Sequence, residues 1–294
     1  MDTFSPLSLL SLLILLFTCL NLSAAHNITQ IKSDESILLA LKSHITLDPF
    51  NILKNNWTSG TSFCTWIGVT CDSRYNRVTQ LNISYMGLVG TLPREIGNLS
   101  FLVSLNASHN SFHGLIPPSI FNMSFLEVLA LKNNSLSSSL PLDMCIHNLH
   151  RLKWLRISYN ELYGEIPSSL GQCSQLEYLS LFNNTFTGFV PTEIGNLTKL
   201  QELFLSENKL TGPIPSTIGN LSNLVYLDLG YNNLNGPIPS TIGNLSNLQD
   251  LHLSSNKFSG PIPSTIGNLS NLSSLWISSN KLNGELPFSI CNMI

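Results

Sequence analysis

The sequence predicts an α/β solenoid whose stacked coils carry a parallel β-sheet on a concave side, and three observations predict it. The apolar positions Val78, Leu102, Leu126, Leu152, Leu176, Leu200, Leu224, Leu248 and Leu272 each open a copy of one pattern. They are 24 residues apart at every step except Leu126 to Leu152, which is 26. A copy such as LVYLDLGYNNLNGPIPSTIGNLSN has apolar residues at its first, fourth and sixth places, Asn at the ninth, then Leu, Gly, Ile and Pro at fixed distances. Around the fourth and sixth places apolar and polar residues alternate, as in Leu203, Phe204, Leu205, Ser206, which is the period of a strand.

This period and apolar order are those of a leucine-rich repeat. A unit of this size cannot bury its own apolar edge, so units stack, and the stack offers a long surface for gripping other molecules. The organisation in chain order is a secretory signal over 1–25, an N-terminal cap over 26–77 and nine repeats over 78–294, the last incomplete.

Leu7 to Leu20 is nearly all apolar and is followed by Ser23, Ala24 and Ala25, the small residues that a signal peptidase requires. The usual basic start is missing, since Met1 to Pro6 holds only an acid; a permanent membrane anchor, which needs about 20 apolar residues, is the alternative. No later segment has the composition of a bilayer span. Secretion is supported independently by Asn-x-Ser/Thr sequons at Asn27, Asn56, Asn82, Asn98, Asn106, Asn122, Asn133, Asn183, Asn196, Asn220, Asn244, Asn268 and Asn271. Asn98, Asn122, Asn196, Asn220, Asn244 and Asn268 share one place in their repeats, so their glycans would line one strip. Asn-Leu-Ser is also what the repeat itself favours there.

In the cap, Ile37, Leu38, Leu41 and Ile45 stand at helical spacing over about Asp34 to His44, with Ser33 as N-cap and Asp48-Pro49 as stop. Cys64 and Cys71, in an oxidising compartment, read as a small disulfide-closed loop, and Trp57 and Trp66 would cover the apolar end of the first coil. A zinc site is the rival reading of a cysteine pair, but no His or second pair stands at zinc-like spacing, and no metal or other cofactor is expected. Cys145, His147 and His150 sit in the two-residue insertion of the third repeat, with Cys173 in the next coil. A buried thiol at Cys173 is favoured over a metal site, and a Cys145–Cys173 bridge between coils stays open, as does any pairing of Cys291.

Within each repeat the ninth-place Asn, at Asn110, Asn134, Asn160, Asn184, Asn208, Asn232, Asn256 and Asn280, reads as a buried ladder satisfying backbone groups where the chain leaves the sheet. The following Gly and Ile-Pro, as in Gly212, Ile214 and Pro215, predict a convex side of irregular chain and short turns. Eight steps of about 4.8 Å give a wall roughly 38 Å long, which suits a peptide or protein edge better than a small metabolite.

Places three, five and seven are the expected outward positions of that wall. Repeats one and two show Gln80, Asn82, Ser84, Ser104, Asn106 and Ser108, with sequons at Asn82 and Asn106 whose glycans would block it. From the fourth repeat onward large side chains gather without sequons, and Trp154, Arg156, Tyr178, Phe182, Phe204, Tyr226, Asp228 and His252 are the candidate ligand surface. Aromatics with an occasional Arg bury much area for little lost freedom, although aromatics also favour strands for their own sake.

The run DESILLALKSHITLDP, then NNWTSGTSFCTWIGVTC, then repeats bearing LxGxIPxxIGNL, resembles the ectodomain of plant leucine-rich-repeat receptor kinases over everything after the signal, nearest to the subgroup of the immune receptor for bacterial elongation factor. The resemblance implies a plant-type right-handed superhelix with a disulfide-stapled N-terminal cap, a location outside the cell or at its surface, a peptide or protein ligand, and a co-receptor kinase ectodomain as a further partner. No invariant ligand residues carry over. The pair of arginines with which several peptide-sensing relatives grip a carboxylate is absent, because Arg156 is followed by Ile157 and Ser158.

The chain has no Gly-rich phosphate loop, no Gly-x-Ser-x-Gly elbow and no kinase catalytic sequence, so an enzyme is not expected. With 14 basic and 17 acidic residues, the net charge of -3 gives no attraction for nucleic acid. The chain ends at Ile294 inside a repeat, and leaving Leu275, Ile277, Leu286 and Ile290 bare would cost about 1.5–3 kcal/mol for each fully exposed side chain. A truncated product or partial gene model of a longer receptor is therefore the expectation. A secreted inhibitor of microbial cell-wall hydrolases, resembling the polygalacturonase-inhibiting proteins, is the alternative from another class, and a non-signalling decoy or scaffold is a third.

Overall fold

The computed structural model describes residues 34–293, with side chains described to Ile290. The secretory signal, Ser33 as N-cap and the sequon at Asn27 lie outside the described residues. Nine parallel strands, one per repeat, form a single sheet, and Val69–Cys71 of the cap extends it antiparallel beyond Val78–Asn82. From repeat two onward each strand is three residues long, such as Glu202–Phe204, and pairs in register with its neighbours: Tyr178, Glu202, Tyr226 and Asp250 stand side by side. The register follows from the constant repeat length, since a one-residue slip would turn every inward Leu outward.

The core is one continuous column. Leu179, Leu203, Leu227 and Leu251 fill it from the strands, Leu181, Leu205, Leu229 and Leu253 from the sixth place, and Ile194, Ile218, Ile242 and Ile266 from the convex side. The convex side is built of 3₁₀ turns such as Ser216–Asn220 and Ser240–Asn244, each entered through a proline. The six regularly placed sequon asparagines are the last residues of these turns and are exposed.

The asparagine ladder is present as expected. Asn208 Nδ2 donates to the carbonyls of Leu181 (3.0 Å), Leu205 (3.1 Å) and Ser206 (3.1 Å), while its Oδ1 accepts from the N–H of Phe186 at 3.0 Å. The same set recurs at Asn232 and Asn256, each 9% exposed. Each Asn thereby ties its own turn to the coil before it.

Several features differ from expectation. A second line of short strands runs past the turn, for example Asn233–Gly236 beside Lys257–Gly260, where irregular chain was expected. The residues before the Ile-Pro pair still have free N–H groups, so pairing continues until the proline ends it. In the cap the helix spans 34–43, and Ile45 belongs to a strand, Ile45–Leu47, paired antiparallel with Val89–Gly90. Cys173 is not a free thiol: it is bonded to Cys145, with Cα atoms 5.3 Å apart, joining the third-repeat insertion to the next coil.

The cap is closed by the Cys64–Cys71 disulfide. Trp57 and Trp66 stack at 5.5 Å between centroids and are 0% and 2% exposed, which seals the first coil. A buried ion pair fixes the helix to the array: Arg77 donates through Nε and Nη2 to the two oxygens of Asp34, both at 2.8 Å, and Asp34 also accepts from the N–H of Val78. Nη2 of Arg77 reaches Ser100 Oγ at 3.1 Å, and its guanidinium lies 4.7 Å from the Phe101 ring centre, so the buried charge is met by a carboxylate, a hydroxyl and a ring face.

Candidate ligand-binding wall

Every candidate wall residue except Phe182 is carried on a strand of the concave sheet. The strand Trp154–Arg156 presents Trp154 and Arg156; Tyr178–Ser180 presents Tyr178; Glu202–Phe204, Tyr226–Asp228 and Asp250–His252 present the rest. Because a strand shows alternate residues on one face, places three and five point outward together while place four enters the core. Arg156, Tyr178, Phe204, Tyr226, Asp228 and His252 are half-buried and Trp154 is 39% exposed, so the aromatics lie against the wall rather than in the interior.

At place seven four serines turn inward, while Phe182 is half-buried and Ser278 exposed. Ser108, Ser158, Ser206 and Ser254 there are 1–7% exposed, and Phe182 alone brings an aromatic ring, packing edge-on against Tyr159 at 4.8 Å. The strand has ended by then, and the chain is turning toward the Asn. Place eight takes a left-handed backbone (φ 53° at Tyr159, 51° at Glu207, 50° at Tyr231) and turns its side chain outward. Tyr85, Tyr159 and Tyr231 are 71%, 40% and 55% exposed in this row, which the period-two reading does not find. The only sequence signal for it is a large polar aromatic wedged between the sixth-place apolar residue and the ninth-place Asn.

The structure brings the candidates together in two groups. In the first, the Arg156 guanidinium lies 4.4 Å from the ring centres of both Trp154 and Tyr178, and Tyr178 continues to Phe204 at 5.6 Å. Nε of Arg156 is buried and has no hydrogen-bond partner. Burial pushes the Tyr178 hydroxyl above its ordinary value, and it likewise raises the neighbouring Glu202 carboxyl, with Arg156 opposing in both cases. In the second, His252 Nδ1 lies 3.0 Å from Asp228 Oδ1, and the His252 ring meets Trp276 at 6.1 Å and Tyr231 at 5.9 Å. Phe204 and Tyr226 close the space between the groups.

Over the first two repeats the wall is small and polar. Asn82 Oδ1 accepts from the N–H and Oγ of Ser84, and Asn106 Oδ1 from the N–H of Ser108. Other sequon side chains are engaged: Asn56 accepts from the N–H of Ile67, Asn133 Nδ2 contacts His109 Nδ1 at 3.1 Å, Asn183 donates to Glu207, and Asn271 donates to the Ser246 carbonyl at 2.8 Å. Among the described residues no group of three His, Cys, Asp or Glu is placed to hold a metal ion, and no helix is long and apolar enough to cross a membrane.

Comparison with known proteins agrees with this architecture. A leucine-rich repeat N-terminal domain model matches residues 31–72, a leucine rich repeat model matches 101–123, and a leucine-rich repeat region model matches 160–285. The LRR receptor-like serine/threonine-protein kinase EFR of Arabidopsis thaliana is 39% identical over 71 residues, which are 24% of this chain and 7% of that protein. The ectodomain of the membrane receptor kinase GASSHO1/SCHENGEN3 from Arabidopsis thaliana, solved in complex with CASPARIAN STRIP INTEGRITY FACTOR 2, is 35% identical with a TM-score of 0.85, covering 88% of this chain and 31% of that one. The Arabidopsis receptor kinase HAESA, solved with the peptide hormone IDA and the co-receptor SERK1, is 32% identical with a TM-score of 0.68, covering 88% of this chain and 52% of that one. The chain thus matches less than a tenth of the curated relative's length and about a third to a half of these solved ectodomains.

Proposed function

We propose that the chain, whose cap and repeats are similar to those of plant leucine-rich-repeat receptor kinase ectodomains, is an extracellular recognition module that captures a peptide on the concave wall of repeats four to eight. The observation that carries this reading is that five consecutive strands of a rigid sheet carry Trp154 and Arg156, Tyr178, Phe204, Tyr226 and Asp228, and His252 on their outer face. Rigid aromatics lose little freedom on binding, and a sheet that is already formed costs the ligand alone its ordering entropy. The spacing of strands, about 4.8 Å, lets an extended peptide at about 3.3 Å per residue cross the sheet and meet a new pair of wall residues every one to two residues.

Two of the solved relatives are complexes with a peptide hormone or an integrity factor, and one includes a co-receptor. In the proposed role a peptide, of immune or developmental origin, occupies the wall at the cell surface, and a co-receptor ectodomain meets the complex from the side. Chemistry on the substrate is no part of this role.

The test is a selection of random displayed peptides on the glycosylated chain secreted from plant cells. Peptides are expected whose affinity falls by about tenfold or more for each of Trp154→Ala and Tyr178→Ala, each removing a ring of the kind that dominates such interfaces. Binding that ignores both substitutions, or that is lost on altering the exposed convex turns instead, would overturn the reading.

A further inference from the structure

A cavity of about 270 Å³ opens on the concave wall and is lined by Phe204, Tyr226, Asp228, Asp250, His252 and Trp276. Leu227 lines it as well, so it holds three ring faces, a leucine, two carboxylates and an imidazole; no lysine or arginine lines it. The two carboxylates differ in one respect. Asp228 is fully engaged: its Oδ2 accepts from Ser206 Oγ at 2.5 Å, and its Oδ1 accepts from the N–H of Gly230 at 3.0 Å and lies 3.0 Å from His252 Nδ1. Asp250 is half-buried on the next strand, beside Tyr226 and Ser274, and its carboxylate has no hydrogen bond or ion pair among the described residues.

Resting on the reading of the wall as a peptide site, we infer that this cavity is the subsite for a basic side chain of the ligand, an arginine or lysine whose cation pairs with Asp250 and lies against the rings of Tyr226, Phe204 and Trp276. The Asp250 carboxylate is half-buried, still open to water and without a protein donor, so an incoming cation meets no competing partner, and a charge-assisted bond in such a site is stronger than its fully solvated equivalent. Aromatic faces attract a cation through their quadrupole, and the flat guanidinium of arginine both stacks and forks. The wall is polarised in the same sense. Arg156 sits four strands away from Asp250, about 19 Å at the usual strand spacing, so a basic residue is repelled at one end of the wall and drawn to the other. The subsite therefore fixes the direction in which the peptide lies, not only its affinity.

The test pairs a substitution in the chain with one in the ligand. Peptides selected on the wild-type chain are expected to share a basic residue. Replacing that residue by its neutral isostere, citrulline for arginine or norleucine for lysine, is expected to weaken binding about tenfold on the wild-type chain and to have almost no effect on Asp250→Asn, which keeps the shape and removes the charge. Selected peptides that lose affinity on Tyr178→Ala but carry no enriched basic residue would overturn the inference and leave the concave-wall reading standing. The inference falls in the same way if neutralising the ligand costs as much on Asp250→Asn as on the wild type. Recovery of no binding peptide, or of peptides indifferent to Tyr178→Ala, would overturn both.

Discussion

Replacing Asn208 by leucine, which is close in size, removes a side chain that holds two coils together at 8% exposure. Its Nδ2 serves carbonyls of Leu181, Leu205 and Ser206, and its Oδ1 serves the N–H of Phe186. The variant leaves that N–H without a partner inside the column, whereas the carbonyls of Leu181, Leu205 and Ser206 keep Asn184 Nδ2, Asn232 Nδ2 and the Asn183 N–H. The orphaned donor costs about 1–3 kcal/mol, and with three acceptors reduced to one partner each and leucine returning part of the loss, a net cost of about 2 kcal/mol is expected. In a solenoid the loss is local, because each repeat touches only its neighbours. Hydrogen exchange read peptide by peptide is therefore the assay. The amide of Phe186 and those around Leu205 and Ser206 should exchange roughly thirtyfold faster, with the cap and the first two repeats unchanged. A change below about threefold at Phe186 would refute the claim that the ladder, rather than the leucine column alone, holds the coils in register.

Breaking the buried pair at the cap by Asp34→Asn leaves Arg77 facing a neutral partner, and a loss of about 3–5 kcal/mol is expected, read as a lower denaturation midpoint with early exposure of Trp57 and Trp66 fluorescence; an unshifted midpoint would contradict it. Gly219→Ala and Gly236→Ala should differ although both glycines sit at fixed places of a repeat. A Cβ on Gly219 would stand 2.4 Å from the Thr241 carbonyl oxygen of the next coil, which is backbone and cannot step aside, for a cost of about 3 kcal/mol; on Gly236 the nearest atom is 3.5 Å away and only the positive φ of 76° is strained, for about 1 kcal/mol. Equal thermal shifts for the two would show that coil contact is not what excludes a side chain at Gly219. Burial raises the Glu202 carboxyl, so the folded chain holds that proton at pH values where the unfolded chain, titrating near 4.5, has lost it. Its contribution to stability is complete below the unfolded value and is lost as pH rises through the raised native one. Glu202→Gln should match the wild type in acid and exceed it in stability above that window; a difference independent of pH would sink the assignment.

What is legible in the sequence is what repeats. The period sets the register of the sheet, the inward leucines, the outward places three and five, and the Asn ladder, because each copy repeats the same local choice and the choices reinforce one another. The two cap tryptophans and the Cys64–Cys71 loop are also readable, from the need to cover a bare coil. Alternation misleads where it is carried past the end of a three-residue strand. The Ser158, Ser206 and Ser254 side chains at place seven turn in, and the left-handed residue at place eight, as at Tyr159 and Tyr231, restores an outward direction that a period of two cannot foresee. The Asp34–Arg77 pair escapes sequence reasoning because its members are 43 residues apart and nothing in either neighbourhood marks them as partners. The Cys145–Cys173 bond stays open in the sequence for a related reason: an insertion breaks the period at the place where the spatial neighbour must be known.

Backbone hydrogen exchange of the chain with and without a selected peptide tests the central claim most directly. The account predicts slowed exchange confined to the concave strands from Trp154–Arg156 to Asp250–His252 and the place-eight residues beside them, with the convex turns and the strands of repeats one and two unchanged. Protection centred on the convex turns such as Ser216–Asn220, or on the small polar wall around Gln80 and Ser104, would contradict it.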